Sequence, residues 1–212
     1  RERWGQGRES LALVYRDRAR GVDITMDQYP YTASQTTIAA LVPQWAQAGG
    51  LDELLARFDD PETRRRIRGE IADRIEHDRG GGDPDNVVIS LCEWDRTLEG
   101  QSLADILAGR NVASDFVTAA DLVMELIQRG GARAIYHAMD ERDVERIMQH
   151  PATMIGSDGG VSVFGAGVPH PREYGTFPRV LGRYVRERGV LTLEEAVRKM
   201  SGATAQRLGL QQ

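Results

Sequence analysis

The strongest constraint on the fold is a switch in hydrophobic period along the chain. Val22, Ile24 and Met26 alternate with polar Asp23, Thr25 and Asp27, the period of two of a strand, and the turn at Pro30 closes the run over 22–31. Later the period becomes helical: "TAADLVMELIQRGG" brings Leu122, Leu126 and Ile127 onto one face and stops at Gly130. "ARAIYHAM" (132–139) is strand-like again. "DERDVERIMQH" then gives a helix with Asp140 as N-cap and Val144, Ile147 and Met148 inward, and "ATMIGSD" gives a strand over 152–157. Strands alternating with helices predict an α/β fold with a parallel sheet. Asn86–Leu91 reads either as a further strand or as a return into the core. Three clear strands do not close a barrel. A complete (β/α)8 barrel takes about 250 residues, so a partial one is predicted.

Other segments fit around that frame. "ESLALVYRDRARG" is a helix ending at Gly21, and "TLEEAVRKM" opens with a Thr192/Glu195 capping box before a last helix from Ser201. From Leu51 to about residue 85 the character changes to two charged helices, the second with only an Ile67, Ile71, Ile75 stripe, followed by the flexible "RGGGDPD". This stretch is read as an insertion covering the main body.

Composition excludes some functions. Apolar content of 41% and charged content of 28% over 212 residues describe a soluble globular protein. A net charge of −5 leaves no basic surplus for nucleic acid, and no apolar run approaches the ~18 residues of a membrane span. Cys92 is the only cysteine, so no internal disulfide forms and a reducing, cytoplasmic setting is expected. No signal peptide opens the chain, and both ends fall inside patterned sequence and read as cuts.

In parallel α/β folds the reacting groups gather at the carboxyl ends of strands. Those ends offer Asp27, Tyr29 and Tyr31; Tyr136 and His137; and Ser157 and Asp158, with His170, Arg172 and Tyr174 in the following loop. Each has an ordinary alternative. Asp158 before Gly159-Gly160 is also a common turn, the tyrosines are also packing residues, His137 is also a core histidine, and Cys92 reads as a small buried hydrophobe. No dinucleotide fingerprint, P-loop, nucleophile elbow or HExxH is present, and the four histidines show no metal-ligand spacing.

Several stretches together resemble the N-acyl-D-amino-acid deacylases (D-aminoacylases) of the amidohydrolase superfamily. They are "WGQ", "DQYPYTAS" with "LVPQWAQAGG", "LEGQSLADILAGR", "HPATMIGSDG", and the run from "HPREYGTFPRVL" to "RLGL". The resemblance spans nearly the whole chain and is most specific in "IGSDG" and "HPREYGTFPRVL". It implies an incomplete (β/α)8 TIM barrel of the metal-dependent hydrolase type, of which this chain supplies about strands six to eight. The expected division is residues 1–50 around strand six, 51–100 as a helical lid, and 101–212 as strands seven and eight with the C-terminal helices.

The resemblance also implies a zinc enzyme whose tight ligands lie outside this chain, so that the 212 residues alone neither hold Zn2+ tightly nor turn over substrate. Asp158 matches the proton-transferring aspartate of strand eight, acting as general base and then acid and as a weak or outer metal ligand. Tyr29 and Arg172 match residues that hold the substrate carboxylate, with His170 of the same motif in the substrate region. The implied partner is a small N-acyl-D-amino acid, with self-association through exposed barrel edges. The family often has Gly-Ser where this chain has Ser34-Gln35, which puts that serine's substrate role aside. The apolar loop "VSVFGAGVP" is read as a pocket for a hydrophobic side chain or acyl group. Two alternatives stand beside this reading. Cyclic-amide hydrolases of the dihydroorotase or hydantoinase type share the aspartate but not the "HPREYGTFPRVL" block. A non-catalytic half-barrel would act as an assembly module.

Overall fold

The computed structural model describes residues 4–163 and 165–210. Its helices are α1 (Gly7–Ala19), α2 (Gln44–Gln47), α3 (Leu51–Asp59), α4 (Pro61–His77), α5 (Leu103–Gly109), α6 (Phe116–Gln128), α7 (Glu141–Gln149), α8 (Arg172–Arg179), α9 (Leu193–Val197) and α10 (Ala203–Arg207). Its strands are β1 (Met26–Gln28), β2 (Ser34–Thr37), β3 (Val87–Leu91), β4 (Arg133–Tyr136) and β5 (Thr153–Ile155). Among the described residues no helix is long and apolar enough to cross a membrane.

The chain forms two compact units. Among the described residues one comprises Ala33–Ala138, Val163 and 165–170; the other comprises 4–32, Met139–Ser162 and 171–210. Along the chain the first unit is inserted between parts of the second. The inserted unit is larger than the helical stretch at 51–85 because β4 pairs inside it.

The inserted unit is built on a three-stranded antiparallel sheet in the order β2-β4-β3. Ser34 pairs with Tyr136 and Thr37 with Arg133 on one side; Val87 pairs with Tyr136 on the other, with an irregularity between Ile89 and Leu91. The strand expected at 132–139 therefore exists but belongs to no parallel sheet, which corrects the all-parallel reading. β2 has the sequence Ser-Gln-Thr-Thr, with no apolar alternation to announce it; it is held by β4 and by Gln35, whose buried Nε2 donates to Ser90 Oγ at 2.9 Å. Helix α4 starts where Asp60 accepts the Thr63 N–H at 2.8 Å and Pro61 presets the first turn. Its Ile67, Ile71 and Ile75 recur at i+4 and are fully buried against α6, where Leu122, Leu126 and Ile127 face inward. Cys92 is fully buried in the same core, and burial pushes its thiol up, as suits a small hydrophobe rather than a nucleophile. Burying each isoleucine contributes roughly 1.5–3 kcal/mol. Ile71→Ala should therefore cost about 2–5 kcal/mol, measured as a lower urea midpoint at unchanged slope.

The second unit centres on a parallel pair, β1 beside β5, in the register Met26↔Thr153, Asp27↔Met154, Gln28↔Ile155. The strands expected at 22–31 and 152–157 are both present, shorter than drawn. Helix α7 is capped by Asp140, whose Oδ1 accepts the Arg142 N–H at 2.7 Å, and it packs on α1 and β5. Val144, Met148, Ile155, Val180 and Tyr184 form the core beneath them. Helix α8 contains Pro178, whose missing N–H disfavours a regular α-helix, and the chain continues as a wider π-helical stretch over Val180–Glu187.

A buried polar knot fixes the start of β5. Lys199 is fully buried and its Nζ donates to His150 O at 2.6 Å and Thr153 O at 3.0 Å, with Glu195 Oε1 at 3.4 Å. His150 Nδ1 accepts the Ala152 N–H at 3.1 Å, a bond made only by the neutral ring. Burial, reinforced by Arg18 and Lys199, holds that imidazole below its ordinary 6.5. The unfolded chain thus takes up a proton that the fold resists, so the stabilisation is present above pH 6.5 and is lost as pH falls through the lowered folded value. Melting temperature should drop as pH is lowered from about 7 to 5, and His150→Gln should flatten that drop.

Candidate active site

Because β1 and β5 run parallel and in register, their carboxyl ends open on the same side. Gly156 N donates to Gln28 O at 3.0 Å, extending the ladder by one step before the chains diverge. Asp27, Gln28 and Tyr29 from one strand and Gly156 and Asp158 from the other then line a cleft of about 390 Å³. Asp158 has φ 48, the left-handed region that non-glycine residues seldom adopt and aspartate tolerates. It is a turn residue after all, and the turn aims its carboxylate.

The target is Arg172, the first residue of α8. Its Nη1 lies 2.9 Å from Asp158 Oδ2; the Arg172 side chain is 8% exposed and that of Asp158 is 69% exposed. The Arg172 guanidinium carbon also stands 5.0 Å from the centroid of the Tyr29 ring. Tyr29, Asp158 and Arg172, three of the residues the sequence singles out, thus form one cluster. Gly159 permits it: a Cβ there would lie 2.8 Å from Arg172 O and 3.1 Å from Glu173 Cα. That glycine serves the close approach of a helix backbone.

A second layer holds the Tyr29-Pro30-Tyr31 segment. Tyr31 OH donates to Pro171 O at 3.1 Å, and burial raises its phenol above the ordinary value despite Arg179 stacked 4.8 Å over the ring. Arg179 Nε donates to Pro30 O at 2.6 Å. The Tyr184 hydroxyl sits 2.9 Å from Glu141 Oε1 and 3.3 Å from Pro30 O, and burial first, then the Glu141 carboxylate, pushes it up to about 12. Arg179 and Tyr184 escape a reading confined to strand ends. Their available signal is helical spacing: 172, 176 and 179 repeat at one-turn intervals, and the same ridge continues to 184.

The other expected residues have contacts of their own. His170 belongs to the inserted unit, is 1% exposed, and places Nε2 2.9 Å from Ala33 O while its backbone N–H donates to Gln35 Oε1 at 3.4 Å. That occupation ties the 163–170 segment to β2. Tyr136 is fully buried in the inserted unit and donates to Thr37 O at 2.8 Å, and His137 is exposed there. Ser157 Oγ accepts the Gly159 N–H at 3.3 Å, and Tyr174 is 52% exposed. In the apolar loop Val161 is fully exposed, and Phe164 lies outside the described residues. Among the described residues no group of three or more His, Cys, Asp or Glu side chains could hold a metal ion. Zinc takes four ligands, and among the described residues the donors present do not by themselves make such a site.

No protein-family model matches the sequence. Curated relatives do. An N-acyl-D-glutamate deacylase of Alcaligenes xylosoxydans xylosoxydans is 38% identical over 207 residues, 98% of this chain and 32% of that protein. A D-aminoacylase of the same organism is 35% identical over the same shares. The chain belongs to the N-acyl-D-amino-acid deacylase family. It spans about a third of the length of the relatives it matches. Among solved structures, the N-acyl-D-glutamate deacylase from Bordetella bronchiseptica, complexed with zinc and a phosphonate mimic of the tetrahedral intermediate, is similar with a TM-score of 0.66 and 35% identity, covering 97% of this chain and 33% of that one. A D-aminoacylase described as defining a novel subset of amidohydrolases gives 0.67 and 34%, covering 99% and 34%. A further D-aminoacylase structure concerns a binuclear metal centre.

The cluster makes a prediction about Gly159. Gly159→Val should push α8 from the turn and cost about 1–3 kcal/mol, with denaturation measuring the loss and the Asp158 and Arg172 side-chain resonances shifting together.

Proposed function

We propose that this chain supplies the proton-transferring and carboxylate-binding part of a site that hydrolyses the amide bond of N-acyl-D-amino acids. The observation that carries the reading is the Tyr29–Arg172–Asp158 cluster at the carboxyl ends of a parallel strand pair, where the cleft opens. The strands would be the last of a partial (β/α)8 barrel, with the unit at Ala33–Ala138 inserted between them. Arg172 and Tyr29 hold the substrate's α-carboxylate, a guanidinium fork and a phenol suiting two oxygens. Asp158 takes a proton from the attacking water as oxygen adds to the acyl carbon. It returns that proton to nitrogen as the C–N bond breaks, leaving a carboxylate and a free D-amino acid. Both duties fall to one carboxylate because they follow in sequence. Zinc, held by ligands beyond those of this chain, would supply the lowered water pKa and a polarised carbonyl. The apolar loop around Val161 would meet the acyl group or an apolar side chain.

A second reading concerns association. Among the described residues β1 and β5 pair only with each other, and a two-stranded sheet is marginal alone. Their outer edges offer places for a further strand, so gel filtration would reveal self-association.

The decisive experiment replaces the matching third of a zinc-loaded N-acyl-D-glutamate deacylase with this chain. The hybrid should hydrolyse N-acyl-D-amino acids. Asp158→Asn should lower kcat by about 10²–10⁴-fold, whereas Tyr29→Phe and Arg172→Gln should mainly raise KM. An Asp158→Asn hybrid within about threefold of its parent would sink the assignment. The purified 212-residue chain should neither retain zinc on dialysis nor turn over substrate, and stoichiometric metal with activity would overturn that division of labour.

A further inference from the structure

The amino ends of the same two strands carry a different chemistry. Thr25 precedes β1 and Ala152 precedes β5, and together with Arg18, Arg198, Arg207 and Gln206 they border a cavity of about 380 Å³. All of these residues belong to the second unit. Three guanidinium groups share this space with one lining carboxylate, Asp23.

The guanidiniums are positioned yet not used up. Arg18 donates from Nη1 to Ile24 O, and Arg207 donates from Nη1 to Asp23 Oδ2 and from Nη2 to Asp23 O. Arg198 is fastened by Nε and Nη2 to the two Glu195 oxygens at 2.7 and 2.8 Å, and Nη2 also reaches Pro151 O at 3.0 Å. Each arginine carries five N–H donors in a fixed plane. Among the described residues, Nε and Nη2 of Arg18, Nη1 of Arg198 and Nε of Arg207 have no partner.

The local charge is opposite to that of the chain. Around the cavity Arg18, Arg198 and Arg207 meet two carboxylates, Asp23 and the Glu195 that Arg198 and buried Lys199 share, in a protein of net charge −5. The positive field is felt by neighbours: after burial, Arg18 and Lys199 are what hold His150 below its ordinary value. Thr25 and Gln206 add neutral donors.

We propose that this cavity is a binding site for a small dianionic oxyanion, a dicarboxylate or a phosphate group, separate from the cleft at Asp158. Its oxygens, held by Arg18 on one side and by Arg198 and Arg207 on the other, would replace water on these exposed donors and offset the charge excess.

The test titrates the purified chain with succinate and, separately, with inorganic phosphate at about 0.1 M salt, where diffuse attraction is screened beyond about 10 Å. Saturable binding with Kd below about 1 mM, and amide shifts centred on Thr25, Ala152 and Gln206, are expected for at least one. Which anion saturates identifies the source. Arg18→Gln, which gives up only one backbone contact, should weaken binding at least about tenfold, or 1.4 kcal/mol. Arg18→Gln/Arg207→Gln should abolish it, and Arg172→Gln should leave it unchanged. Failure of both anions to saturate overturns the proposal. So does affinity untouched in both arginine variants, or binding lost in Arg172→Gln, which would place the anion in the other cleft.

Discussion

Arg172 carries a full charge with 8% of its side chain exposed, and the architecture at the strand ends is arranged around compensating it. A guanidinium withdrawn from water is costly unless its donors meet acceptors. Asp158 supplies a carboxylate at 2.9 Å and Tyr29 an aromatic face. Each depends on a backbone arrangement: Asp158 on a left-handed turn after β5, Tyr29 on the Pro30 turn after β1, and Arg172 on a helix that approaches Gly159 too closely for any side chain. The parallel register of β1 and β5 sets the distance across which these parts meet.

The two ends of that strand pair are chemically unlike. At the carboxyl end a buried arginine is matched by an exposed carboxylate. At the amino end three arginines outnumber their carboxylates, and the Lys199–His150–Thr153 knot anchors the strand between. Lys199 uses its ammonium on two main-chain carbonyls, so the start of β5 is fixed by a side chain 46 residues further along the chain than Thr153. A rigid start matters for a residue delivered three positions past the strand's end.

The chain's place in its family follows from identities of 35–38% across nearly all its length, yet it matches about a third of each relative. At the strand ends Asp158, Arg172 and Tyr29 form one cluster, and no group of three or more metal-donor side chains is found among the described residues.

The sequence by itself determined the helices with strong apolar stripes, such as the Ile67, Ile71, Ile75 face of α4, because a 3.6-residue period and an N-cap are local. It also determined β1 and β5 and marked Asp158, Tyr29 and Arg172, since strand ends, glycine pairs and the "HPREYGTFPRVL" block are written in the chain. Only the tertiary structure decided that β4 joins an antiparallel sheet with the polar β2, because strand pairing rests on partners distant in sequence. It alone gave His170 to Ala33, assigned Gly159 to helix contact, and gathered Arg18, Arg198 and Arg207, since their convergence joins helices about 180 residues apart and leaves no local trace.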